Sequence, residues 1–241
     1  MATDVLFSSL LFHNDFNTRK ITKHHLPIEV YSGYVQVDRT SVLIVGREVL
    51  ILNLLTLHIT PLSPLLTPRN GVGIAKVGDT VFAFAGYDDN NPMTVCEKSK
   101  VSPTHWTQLP SMHHARCSFT PCAFKALLYL ASTATTGHRA VEIFSPVTET
   151  FTVLPVSLPP DLKLGYASVA FVANGELLLL TNKEQMARWK VGEPHFSVSA
   201  INRRCCSFHP PLLVGTEVYI ANGTNVEKWS LETGRFVEVP N

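Results

Sequence analysis

Four residues in one short stretch could do chemistry together: His113, His114, Cys117 and Cys122, in HHARCSFTPC. Imidazole and thiolate are the ligands zinc selects, and a structural zinc needs four of them converging at a suitable spacing. His-His-x-x-Cys-x4-Cys is not such a spacing. Positions 117 and 122 also differ in parity, so on one regular strand their thiols face apart. No metal is expected. The same stretch can be drawn as a nucleophile and base, with Cys117 beside His113 or His114. Such a pair needs a third group to orient the imidazole, and none is visible nearby. Gly-x-Ser-x-Gly is absent. Gly71-Val72-Gly73 lacks the rest of a dinucleotide loop and has no Gly-Lys-Ser/Thr. Its glycines read better as room for a close backbone approach. No catalytic residue and no cofactor are expected.

Composition narrows the classes further. The 241-residue chain is 45% hydrophobic and 16% charged, so much of it must be buried. Lys and Arg total 20 against 19 Asp and Glu, for a net charge of +1. That balance does not suit a general nucleic-acid or membrane binder. No apolar run reaches the roughly 18 residues of a membrane span. Residues Val5 to Phe12 are apolar but lack a basic leader and a small-residue cleavage site, so no signal peptide is expected. The five cysteines are odd in number and irregular in spacing. They read as buried reduced thiols of a cytoplasmic protein rather than a disulfide framework.

The elements that must position these residues come from a repeat. An aromatic or β-branched anchor opens a short alternating stretch, usually closed by proline: WTQLP at Trp106, FTVLP at Phe151 and FVEVP at Phe236. Weaker copies begin at Ile21, Ile59 and Phe196. The anchors lie 38, 47, 45, 45 and 40 residues apart, near the period of propeller blades. Upstream of each anchor runs a second strand ending in a polar corner, such as VEIFSPVTET and VEKWSLETGR. Further upstream, two more strands flank short turns at Gly78-Asp79, Lys125-Ala126, Asn174-Gly175 and Gly215-Thr216. The runs of LLLL type suit a strand buried on both faces. Residues 183–189 could be written as a short helix, but the repeat needs a strand there. The first copy lacks its first, inner strand. A seam is therefore expected, as a blade of three strands or a ring left open beside the Asn241 end.

Arg116 to Pro155 is the most complete copy, and its unit resembles the kelch repeat. Pro68-Arg69 and Ala115-Arg116 match the start of that family's blade. Ala85-Gly86-Tyr87-Asp88 matches its Gly-Gly end with one glycine lost. Val141-Glu142-Ile143-Phe144-Ser145-Pro146 matches its third strand, and Trp106 to Met112 its fourth. Ser132-Thr133, Thr181-Asn182 and Asn222-Gly223 stand where glycine doublets belong, which is the main departure. The resemblance implies an all-β propeller of about six blades of four antiparallel strands, the first incomplete. The blades would span about 1–27, 28–67, 68–112, 113–158, 159–201 and 202–241, as one domain.

In such a ring, the loops between blades and between second and third strands open on one face. Arg69, Arg116, Lys163, Arg203 and Arg204 fall between blades, and Arg47, Arg139 and Lys183 within them. His113, His114 and His138 join them. Acidic residues there are fewer: Glu48, Asp88, Asp89, Asp161 and Glu184. Arginine clusters capture carboxylates and phosphates, so the expected partner is a protein or peptide segment, acidic or phosphorylated. Kelch-type rings often bind peptides on this face, and often serve ubiquitin-ligase adaptors through an F-box or BTB domain. Neither is visible here, since strand sequence begins almost at Met1. The alternative is a propeller enzyme of the galactose-oxidase-like or sialic-acid-processing type.

Overall fold

The computed structural model describes residues 2–7, 10–15, 20–25, 32–89, 91–102, 104–131, 140–156, 158–162, 169–181, 183–201, 211–214, 216–222 and 225–237, with backbone alone for 2–25, 212–214, 221–226 and 237. Every regular element in them is a strand, and among them no helix is long and apolar enough to cross a membrane. Five sheets have four antiparallel strands each and are arranged as a propeller. The first (sheet 1) holds Gly33–Gln36, Ser41–Val45, Val49–Asn53 and Ile59–Pro61. Sheet 2 holds Gly73–Val77, Thr80–Phe84, Cys96–Lys100 and Thr107–Leu109. Sheet 3 holds Cys122–Phe124, Leu127–Leu130, Glu142–Ser145 and Thr150–Val153. Sheet 4 holds Val169–Ala173, Glu176–Leu180, Gln185–Lys190 and Ser197–Ala200. Sheet 5 holds Leu212–Val214, Glu217–Asn222, Asn225–Ser230 and Arg235–Val237. The stretch that could be written as a helix is the strand Gln185–Lys190, paired on both sides.

The N-terminal sheet has three strands, Ala2–Phe7, Leu10–Asp15 and Lys20–His25, paired in that order. Ala2–Phe7 lies against Glu217–Asn222 of sheet 5. The seam thus takes the form of a three-stranded blade in contact with the last one.

Two turn chemistries recur among the blades. In sheets 3 and 4 the first and second strands meet in two-residue turns with both residues left-handed, at Lys125-Ala126 (φ 47° and 62°) and at Asn174-Gly175 (φ 51° and 78°). That is the hairpin turn whose twist matches the strands, and Asn-Gly is its favoured pair. In sheets 1, 3 and 5 the third and fourth strands meet through Asn/Ser-x-x-Thr corners. Asn53 Oδ1 accepts from Leu55 N and Thr56 N at 2.9 and 3.0 Å. Ser145 and Ser230 hydroxyls accept from Thr148 N and Thr233 N at 3.3 and 3.2 Å. Each corner then turns on a left-handed residue: Leu57, Glu149 or Gly234.

The core lies between neighbouring sheets. The second strands are buried on both faces: Val81 to Phe84 and Leu177 to Leu180 are almost wholly shielded. Phe82 and Phe84 of sheet 2 meet Phe144 of sheet 3 edge-to-face, with ring centroids 5.3 and 5.1 Å apart. Such contacts add about 0.5–1.5 kcal/mol beyond area burial. Of the anchors, Trp106, Phe196 and Phe236 are buried, and Phe151 packs half-buried against Phe84 and Phe144. Gly73 lies so close to the Phe119 ring that a Cβ would stand 2.7 Å from it. Gly71 meets the Tyr87 ring as closely, so both glycines of Gly71-Val72-Gly73 leave room for a close approach.

Candidate functional site

Two arginines expected on the loop face lie inside the molecule. Arg69 and Arg116 are 0% exposed, as are Glu97 and Glu142. Arg69 donates through Nη1 to Glu97 Oε1 at 2.5 Å, and through Nε to the carbonyl of Ala85 at 2.5 Å. Arg116 reaches Glu142 Oε1 at 3.3 Å and the carbonyl of Ala140 at 2.6 Å. The expectation that Arg69 and Arg116 form part of an accessible rim is corrected accordingly. Each guanidinium is held by a buried carboxylate and backbone oxygens, so neither meets solvent.

Strand register explains why these pairs form. Glu97 lies opposite Ala83, and Glu142 opposite Leu130, each the fourth residue of its second strand. Glu227 takes the same place opposite Ile220 in sheet 5, while Leu50 and Ala187 take it in sheets 1 and 4. The sequence ahead of sheet 5 carries Arg203-Arg204, and that ahead of sheets 1 and 4 carries no arginine. Acid and arginine therefore appear together or not at all. That is what the cost of an unpaired buried charge demands.

The link between sheets 2 and 3 carries the candidate chemistry. Glu142 Oε2 accepts from His113 N at 2.8 Å and faces His113 Nδ1 at 3.0 Å. Its Oε1 accepts from His114 N at 3.0 Å and faces His114 Nδ1 at 3.2 Å. One buried carboxylate thus orients two imidazoles. This is the third group that the local sequence did not reveal. The signal for it was the third-strand glutamate itself, present only in repeats with a leading arginine.

The complete chemistry does not assemble. Both Nδ1 atoms converge on one carboxylate, so the outer ring nitrogens point away from it rather than toward a common ion. Among the described residues no three His, Cys, Asp or Glu side chains are placed to hold a metal. Burial pushes the Cys117 thiol up, and the neighbouring Ser118 side chain offsets only part of that rise. Cys122 is fully buried, its thiol pushed up to about 12 by burial and directed at the Tyr129 carbonyl. A thiol needs an electropositive, accessible setting to attack, and neither has one. What remains is a base and its orienting carboxylate, with no partnered nucleophile.

The other candidates are scattered. Arg47 is exposed on sheet 1 and paired with Asp88 at 2.5 Å and Asp89 at 3.6 Å across the neighbouring sheet. Asp88 sits on a short hairpin, Tyr87–Asp88 with Asn91–Pro92, that rises between the second and third strands of sheet 2. Lys183 is exposed in the corresponding turn of sheet 4. His138, Arg139, Lys163, Arg203 and Arg204 lie outside the described residues, as do Cys205 and Cys206. A scan against models of known protein families finds no match, and neither does a search of curated proteins.

Proposed function

We propose that this chain is a kelch-like propeller acting as a protein-interaction module, without chemistry of its own. It takes partner polypeptide segments on the face where inter-sheet links and second-to-third-strand turns open. The observation that carries this reading is the link 112–121. Its backbone is clamped by a buried carboxylate, and its outermost side chain, His113, is half exposed. Polar loops held rigidly on a packed scaffold are where binding surfaces are built. Kelch identity is supported by the strand motifs at Val141–Pro146 and Trp106–Met112, and by the arginine that opens the blade in sheets 2 and 3. Substrate recognition for a ubiquitin-ligase adaptor, in the cytoplasm, is the role this reading favours.

An acidic or phosphorylated segment would be met by Lys183 and the cations at 139, 163, 203 and 204, with Arg69 and Arg116 withdrawn from that set and Arg47 reaching the segment only by leaving Asp88. Reversing Arg69 and Arg116 would test only folding, since both are buried. The informative variant combines Arg47→Ala with Lys183→Glu, against a control altering Asp38 and Arg39 on the opposite face. Pull-down with mass spectrometry, on protein shown by thermal melting to be folded, should lose partners with the first variant and keep them with the second. Capture unchanged in both overturns the loop-face reading.

A further inference from the structure

Glu142 decides what His113 can offer a partner. Burial pushes the Glu142 pKa up, but the His113 amide, the Arg116 charge and the two histidine side chains outweigh it and hold it below the usual carboxylate range. An ionised carboxylate only accepts hydrogen bonds. The Nδ1 of His113, 3.0 Å from Oε2, must therefore carry a proton and donate it. In the uncharged ring that leaves Nε2 with a lone pair. Nε2 lies across the ring from the carboxylate, on a side chain that is 50% exposed.

Sheet 2 shows that the fold does not need these rings. The same two places there are Leu66 and Thr67, whose amides donate to Glu97 at 2.7 and 3.2 Å. The amides alone clamp the carboxylate. The His113 ring is an addition to a device already complete without it.

The surroundings do not call for an anion. Asp88 and Asp89 sit on the hairpin that ends at Pro92, and the next residue, Met93, is bridged to Arg116. That bridge ties the acidic hairpin to the link bearing His113. Arg47 beside it is already paired with Asp88, and Glu48 is exposed next to Arg47. Arg116 itself is turned inward.

We propose that His113 Nε2 is a hydrogen-bond acceptor on the loop face, and that it takes the ammonium of a lysine side chain on the partner segment. This rests on the loop face being an interaction surface. It puts a cation, rather than a phosphate or carboxylate, at this seam.

Long-range ¹H–¹⁵N spectra of labelled protein at pH 8 report the tautomer directly. N-acetyl-lysine amide and inorganic phosphate serve as the two probes. The Nδ1–H tautomer is expected, with the His113 Nε2 signal moving on addition of the lysine probe and not of phosphate. His113→Ala should stay folded and lose about fivefold in affinity for that probe, the worth of one hydrogen bond. An Nε2–H tautomer, a response to phosphate alone, or unchanged affinity in the variant overturns the proposal. If it fails while the Arg47→Ala/Lys183→Glu variant still loses partners, only the lysine assignment falls. If that variant keeps every partner, the interaction reading itself falls.

Discussion

Arg69 and Glu97 meet at 2.5 Å with neither side chain exposed to water, and they are 28 residues apart in the chain. The pair ties the start of a blade to its third strand, and Glu97 also holds the amides of Leu66 and Thr67. Removing one partner leaves a buried charge alone, which costs about 3–5 kcal/mol. Removing both need not. Sheets 1 and 4 have Leu50 and Ala187 at the glutamate's place. In urea unfolding, Arg69→Met and Glu97→Leu should each be strongly destabilising, and the double variant much less so than the sum. Additive losses would show that the two side chains do not act as a unit.

The strands and turns were legible because each is set by local chemistry. Gly78-Asp79 and Asn174-Gly175 announce hairpins by residue type, and the buried second strands announce themselves as unbroken apolar runs. The three-stranded first sheet was legible for the same reason: only two strand signals come ahead of the anchor at Ile21. The roles of Arg69 and Arg116 were not. An arginine at a blade start looks alike whether it faces water or a glutamate 26 or 28 residues on, because the partner arrives only after an intervening hairpin. What could have shown it is the pattern across repeats, in which Glu97 and Glu142 occur with an arginine and Leu50 and Ala187 without one. His113 and His114 stand in the link between sheets 2 and 3. Their orienting group was missed, since Glu142 lies beyond the next two strands.

Acid should loosen the link between sheets 2 and 3. The folded Glu142 pKa lies below the 4.5 usual for the group. A carboxyl with a depressed folded pKa binds its proton less readily in the native state than in the unfolded one. Its contribution is therefore fully present above about pH 4.5, and is lost as pH falls from there through the folded value. Wild-type stability, followed by urea unfolding from pH 6 to pH 3, should drop in that window. Glu142→Gln lowers stability at pH 6 and should flatten the slope below pH 4.5. An unchanged slope would mean that Glu142 is not a source of the acid sensitivity.

The turn at Lys125-Ala126 carries strain that its counterpart avoids. Both residues have positive φ, 47° and 62°, and so do Asn174 and Gly175 at 51° and 78° in the next sheet. The backbone is the same, but Lys and Ala bear a Cβ that the left-handed region disfavours by about 1–2 kcal/mol per residue. Asparagine tolerates that region better, and glycine is free of the penalty. Part of the gain is returned, because glycine also widens the unfolded ensemble by about 0.4–1 kcal/mol. Lys125 and Ala126 are both exposed, so little packing is lost with them, beyond the Lys125 ammonium lying 5.4 Å from the Phe124 ring. Lys125→Asn with Ala126→Gly should therefore stabilise the protein by about 1 kcal/mol, read as a higher urea midpoint at unchanged slope. The reverse exchange, Asn174→Lys with Gly175→Ala, should destabilise by a similar amount. Equal midpoints in both directions would mean that this turn geometry carries no strain.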